Sequence, residues 1–239
     1  AYFRSKMTFS SLTAFLTAVD PSPGRIDQGS LSVQTQMEIL ISTITNNEVI
    51  TDSHDDCTSW KGIFLNPEKD IFYINWSFFN ITGSINLEWL PPTLICLFIE
   101  DTSLKGSLDL TRLPPILQEL LLIQNAFSGP ICLTMLPETL HILCLDSNQL
   151  SGTLQLTSLP DAMVSIDVQK NFFSGAIDAT RLPPKLRDLY INDNPLSGET
   201  DLCRLPDSLL TLDVSNTGLS GHIIHPNIVT FKNNGSHVR

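Results

Sequence analysis

Basic residues are scarce in this chain. Its 239 residues hold 14 Lys and Arg against 25 Asp and Glu, a formal net charge of −11 at neutral pH. Affinity for nucleic-acid phosphates is supplied by Lys and Arg, so nucleic acid is excluded as an expected partner. Charged residues make up only 16% and apolar residues 42%, which is too apolar for a disordered chain and enough for a sizeable buried core. Cysteine is sparse and odd in number: Cys57, Cys96, Cys132, Cys144 and Cys203 follow no zinc or disulfide spacing, so at least one thiol is free. A membrane-length apolar run is missing as well. The longest charge-free stretch of the body, Leu120 to Pro137, is interrupted by Asn125, Gly129 and Pro130 and reads as core, not as a membrane span.

Catalytic signatures are equally absent, with no Gly-rich phosphate loop, kinase signature or nucleophile elbow. His54, His141, His222, His225 and His237 recur at no common phase. His222 and His225 lie three apart, but no Cys or carboxylate cluster adjoins them to complete a metal's ligand set. No enzyme activity, metal or cofactor is expected. Near the start, Arg4 and Lys6 precede an uncharged run from Met7 to Val19 with the outline of a signal peptide, its apolar centre diluted by Ser and Thr. Residues 1–30 are therefore a candidate leader, expected to be poorly ordered.

What the sequence does hold is periodicity. Leu-Pro pairs begin at Leu90, Leu113, Leu136, Leu159, Leu182 and Leu205, each 23 residues from the next. Glycines keep the same phase at Gly83, Gly106, Gly129, Gly152, Gly175, Gly198 and Gly221. The unit reads LPxxLxxLxLxxNxLSGxIxLTx. Across the six units from Leu90, the columns at offsets 0, 4, 7, 9, 14 and 18 hold a single polar residue, Thr200. Within each unit a triplet such as Leu120-Leu121-Leu122 or Leu189-Tyr190-Ile191 alternates at period two, so it predicts a short strand with its first and third residues inward. One such turn cannot bury its own apolar face, so the turns must stack, and each strand pairs with its equivalents one turn away. The expected architecture is an α/β repeat solenoid, curved, with a parallel β-sheet along one side. Asn125, Asn148, Asn171 and Asn194 follow the strands at a fixed offset, where a buried amide's donors and acceptor can satisfy main-chain groups freed at the bend.

These repeats resemble those of leucine-rich repeat proteins, over roughly Ile71 to Ile223. The resemblance implies a right-handed superhelix with the parallel β-sheet on its concave face and short convex strands and turns. Segments such as Leu150-Ser151-Gly152-Thr153-Leu154 are similar to the plant-type subclass, although the period is one residue shorter than the usual plant repeat and closer to arrays in protist surface proteins. Ahead of the repeats, Met37, Leu40, Ile41 and Ile44 follow helical spacing and predict an amphipathic helix from about Val33 to Thr45. The run Asp55-Asp56-Cys57-Thr58-Ser59-Trp60-Lys61-Gly62-Ile63 resembles the N-terminal caps of extracellular plant-type repeat proteins. Leu65 stands near the place of that motif's second Cys, which leaves Cys57 free or paired outside the cap. The expected division is a leader at 1–30, an N-terminal cap at 31–67, repeats at 68–225 and a frayed C-terminal tail at 226–239.

Function is expected on the concave face. Outward strand positions place Phe98, Leu121, Ile123 and Cys144 in one apolar patch, with Tyr190 further along and Glu100, Asp146, Asp167 and Asp213 among the acidic residues beside it. An apolar patch with a charged rim fits a protein or peptide partner, and the sign of the rim fits a basic one. Asn75, Asn80 and Asn234 begin glycosylation triplets, which matter if the chain is secreted. The resemblance implies a non-catalytic binding module, the ectodomain or secreted part of a cell-surface or receptor-like protein. The alternatives are a surface-coat spacer without a ligand, a fragment of a larger receptor kinase-like protein, and a cytoplasmic location.

Overall fold

The computed structural model describes residues 28–224 and 228–238. The uncharged run of the candidate leader and His225 lie outside the described residues. In chain order the strands are β1 (Ile63–Leu65), β2 (Ile71–Asn75), β3 (Thr82–Gly83), β4 (Cys96–Phe98), β5 (Ser103–Gly106), β6 (Glu119–Leu121), β7 (Ala126–Pro130), β8 (Ile142–Cys144) and β9 (Gln149–Gly152). They continue as β10 (Ser165–Asp167), β11 (Phe172–Phe173), β12 (Asp188–Tyr190), β13 (Ser197–Glu199), β14 (Thr211–Asp213), β15 (Gly218–Gly221), β16 (Thr230–Lys232) and β17 (His237–Val238). Nine of them form one long sheet in the order β1-β2-β4-β6-β8-β10-β12-β14-β16. β1 is antiparallel to β2, and the other pairs of this sheet are parallel. The rest line the other side of the coil as β11-β9-β7-β5-β3 and β13-β15-β17.

The register carries the repeat directly into space. Leu97 pairs with Leu120, Leu120 with Leu143, Leu143 with Ile166, Ile166 with Leu189, and Leu189 with Leu212. These residues, and Ile99, Leu122, Leu145, Val168, Ile191 and Val214 two places on, are fully buried. A shift of one residue would turn every one of them to water, so the apolar alternation locks the pairing. The buried side chains form one continuous cluster from Met37 to Val238. No turn has a core of its own, so each is stabilised by its neighbours.

The bends between the two sheets are held by side-chain amides. Asn148 donates through Nδ2 to Leu122 O at 2.7 Å and Leu145 O at 3.1 Å, and its Oδ1 accepts from Phe127 N at 3.1 Å. Asn171 and Asn194 repeat this one and two turns later, accepting from Leu150 N and Phe173 N. Asn125, less deeply buried, donates to Ile99 O and Ile123 O. Each amide thus staples two successive turns. Just before these bends, Phe78, Asp101, Gln124, Ser147, Lys170, Asp193 and Asn216 all adopt left-handed backbone, with φ between 50° and 63°. The sequence gives no glycine signal there, since Asp and Asn tolerate this region and the other residues accept its cost locally. Gly83 is different in kind: a Cβ there would come within 2.2 Å of Thr43 O, where the chain before the repeats crosses closely.

The helix Val33–Ile41 buries Met37, Leu40 and Ile41 completely, and the Ser32 hydroxyl accepts from Thr35 N at its start. Gln34 Oε1 accepts from Cys57 N at 2.8 Å, tying the helix to the Asp55–Ile63 run, where Trp60 is buried and donates to His54 O. Cys57 is buried and unpaired, and burial pushes its thiol up to about 11. At the other end, composition leads one to expect a frayed tail over 226–239, but β16 pairs with β14 and β17 with β15. Phe231 stands opposite Leu212 and Val238 is buried, so the segment extends the stack although it lacks the Leu-Pro and Ser-Gly marks of the repeat.

Candidate functional site

The outward face of the long sheet gathers the chemistry. Register places Phe98 beside Leu121, Leu121 beside Cys144, Cys144 beside Asp167, Asp167 beside Tyr190, and Tyr190 beside Asp213. Neighbouring strands lie about 4.8 Å apart, so these six positions form one continuous column. Phe98, Leu121 and Cys144 are half-buried and adjacent, with Ile123 two residues beyond Leu121 on the same face. Tyr190 is not part of that patch, because Asp167 stands between it and Cys144.

Two aromatic residues extend the patch towards the N-terminus, and sequence reasoning missed both. Tyr73 in β2 packs its ring edge-on to Phe98 at 5.1 Å, and Phe64 in β1 stacks on Tyr73 at 4.9 Å. Such pairs add about 0.5–1.5 kcal/mol beyond their buried area. Tyr73 was accessible to alternation, since it precedes Asn75 by two on one strand. Phe64 was not, because its strand is antiparallel and lies before the repeat. Phe64 keeps 47% of its surface exposed.

Acidic groups follow the patch. Asp167 is largely buried, which pushes its carboxyl up to about 6 against the lowering effect of bonds from Gln169 N and Nε2. Burial also raises Asp146, which accepts from Ser147 Oγ at 3.1 Å. Glu100 is half-buried in the column of Ile123 and Asp146. Asp213 differs from the rim role expected of it. Only 5% of it is exposed, Lys232 Nζ lies 3.3 Å from its carboxylate, and Ser215 N donates to it. Lys232 comes from the C-terminal strand β16, where composition leads one to expect a frayed tail.

The remaining candidates are scattered. Asn75 is half-buried, donating to Tyr73 Oη and accepting from Ser77 N, whereas Asn80 and Asn234 are exposed. All five cysteines are unpaired. Burial holds Cys144 at about 12, while a bond with the Thr134 hydroxyl lowers the exposed Cys132. Shallow grooves lie away from the long sheet, one lined by Thr153, Gln155, Thr157, Ala176 and Asp178 with a volume of about 340 Å³. Among the described residues no three His, Cys, Asp or Glu side chains converge as metal ligands. No helix of the described residues is long and apolar enough to cross a membrane.

No protein-family model matches the sequence, and a search of curated proteins finds no match. Solved structures do match. A plant ice-binding protein is similar at 20% identity and a TM-score of 0.68, over 86% of this chain and 71% of that one. The leucine-rich repeat ectodomain of the receptor kinase SOBIR1 from Arabidopsis thaliana is similar at 24% identity and a TM-score of 0.54, over 64% of this chain and 93% of that one. The leucine-rich repeat ectodomain of the Arabidopsis receptor kinase HAESA, solved with an N-terminally extended IDA peptide hormone ligand, is similar at 18% identity and a TM-score of 0.59, over 86% of this chain and 41% of that one. Identities this low speak to architecture, and with the 23-residue turns and parallel ladders they establish it: the chain folds as a leucine-rich repeat solenoid.

Proposed function

We propose that this protein is a non-catalytic binding module that holds a protein or peptide on the outward, concave face of its long sheet. The observation that carries this is the apolar run Phe64, Tyr73, Phe98, Leu121, Ile123 and Cys144, contiguous and followed by acidic side chains. A contiguous apolar surface rimmed by charge is the form of a protein contact site. The structure of HAESA with a peptide hormone supports this use of such an array. In this reading the module is extracellular, secreted or at the cell surface, and Asn80 and Asn234 are its accessible glycan acceptors. Replacing Phe98, Leu121 and Ile123 together by Ser abolishes partner capture and leaves thermal unfolding in place, because all three side chains are partly exposed. Capture that survives the triple change refutes the reading.

A second reading comes from the other side of the coil. Ser128, Ser151, Ser174, Ser197 and Ser220 recur at one position of the repeat and Thr111, Thr134, Thr157 and Thr180 at another, each 23 residues from the next. Regularly spaced hydroxyls on a rigid face, with the likeness to a plant ice-binding protein, support adsorption to ice. Thermal hysteresis and ice-recrystallisation assays decide it: activity lost on changing Thr134 and Thr157 to Lys supports the reading, and an inactive native protein ends it.

A further inference from the structure

The long sheet's outward face is graded from one end to the other. Its first turns present aromatic and aliphatic side chains, and its middle turns, β8 to β12, present hydrogen-bond acceptors. Asp146, two residues past β8, and Asp167, at the end of the adjacent β10, are both largely buried, and among the described residues no basic side chain comes within ion-pair distance of either. Lys170 is exposed and acts on them only at longer range. One turn further, Asn192 is 6% exposed, and its Oδ1 has no partner although its Nδ2 donates to Gln169 Oε1 and Asp193 Oδ2. Asp146 accepts from Ser147 Oγ and Asp167 from Gln169 N and Nε2, which leaves each carboxylate with unused acceptor capacity beside the unpartnered Asn192 oxygen, and a bonded cation would use it.

From this juxtaposition, and resting on the concave-face reading above, we propose that Asp146, Asp167 and the free Asn192 oxygen form a seat for a guanidinium or ammonium group of an extended peptide whose apolar side chain packs on Phe98 and Leu121. The seat offers only acceptors, whereas Arg offers five donors and Lys three, so a cationic side chain is the complementary occupant. The raised carboxyl of Asp167 fits an anion waiting for a counter-charge. Geometry fixes the spacing in the ligand. Phe98 and Asp167 lie three strands apart, about 14 Å at ~4.8 Å per strand, and an extended chain advances about 3.3 Å per residue. The apolar anchor and the basic residue therefore stand about four residues apart. In either chain direction the apolar anchor lies over the first turns and the basic residue over the middle ones.

The test is selection of a displayed random-peptide library on the intact protein, followed by titration of the synthesised consensus peptide. The expected consensus carries an aromatic or large aliphatic residue and an Arg or Lys three to five positions away. D146N/D167N weakens that peptide at least tenfold, the peptide with Gln for its basic residue is weakened equally, and combining the two changes costs little more. A consensus without a basic residue, or affinity untouched by D146N/D167N, overturns the seat. If those peptides still lose binding on F98S/L121S/I123S, the seat alone falls and the concave-face reading stands. Peptides that bind all variants alike, or no enrichment at all, overturn both.

Discussion

Replacing Asn148 by Ala tests the physics of the stack most directly. Its amide serves two turns at once, donating to Leu122 O and Leu145 O and accepting from Phe127 N, with 6% of the residue exposed. In the Ala variant Leu145 O keeps the donor of Asn171 at 2.9 Å, so the groups left without the amide are Leu122 O and Phe127 N. A buried group stripped of its partner costs about 1–3 kcal/mol, so the pair costs about 2–6 kcal/mol and the expected loss is about 4 kcal/mol. Urea unfolding followed by circular dichroism measures it. With a slope of about 3 kcal/mol per molar, the midpoint falls by more than ~1 M. Asn125→Ala, at a half-buried site with a neighbour missing its own Asn, should cost less than half as much. A loss below about 1 kcal/mol for Asn148→Ala, or equal losses at both sites, would show that the amide staples are not what holds the bends.

Thr200→Val should raise stability by about 1–2 kcal/mol in the same urea assay, since the Thr200 hydroxyl is 2% exposed, unpartnered, and stands in a column that is otherwise apolar; a loss of stability would mean the hydroxyl is bonded. Asp167 titrates at a higher pH folded than unfolded, so it contributes stability below 3.8 that is lost as pH rises through about 6. Asp167→Asn should therefore flatten that stretch of the stability profile and gain on the order of 1 kcal/mol at neutral pH, after discounting for its partial exposure; an unchanged slope between those pH values contradicts this. Under native conditions at pH 7.5, iodoacetamide should label Cys132 well before Cys57 and Cys144, whose thiols are held at about 11 and about 12 by burial; peptide mapping that finds Cys57 modified first would contradict the packing of the Asp55–Ile63 segment.

The repeat made the architecture legible because its signal is redundant. Leu97, Leu120, Leu143, Ile166, Leu189 and Leu212 need only a common phase and the impossibility of burying one turn alone to imply a stacked parallel sheet. Outward neighbours such as Phe98, Leu121 and Cys144 follow from the same alternation, so their adjacency was readable too. Where the repeat stops, inference from it stops. Phe64 joins the aromatic run through an antiparallel strand outside the period, and Lys232 reaches Asp213 from a terminal strand whose composition resembles a tail.

The sequence by itself determined the period, the inward face and the acidic balance, because these are sums over many equivalent positions. Tertiary structure alone decided which charges are free. Asp167 and Asp213 occupy equivalent columns in equivalent repeats, yet among the described residues the first makes no ion pair and the second is covered by a lysine. It also decided where backbone strain lies, since seven residues as different as Phe78 and Asn216 share one left-handed bend. Packing of each turn on the next imposes that bend whatever side chain it meets.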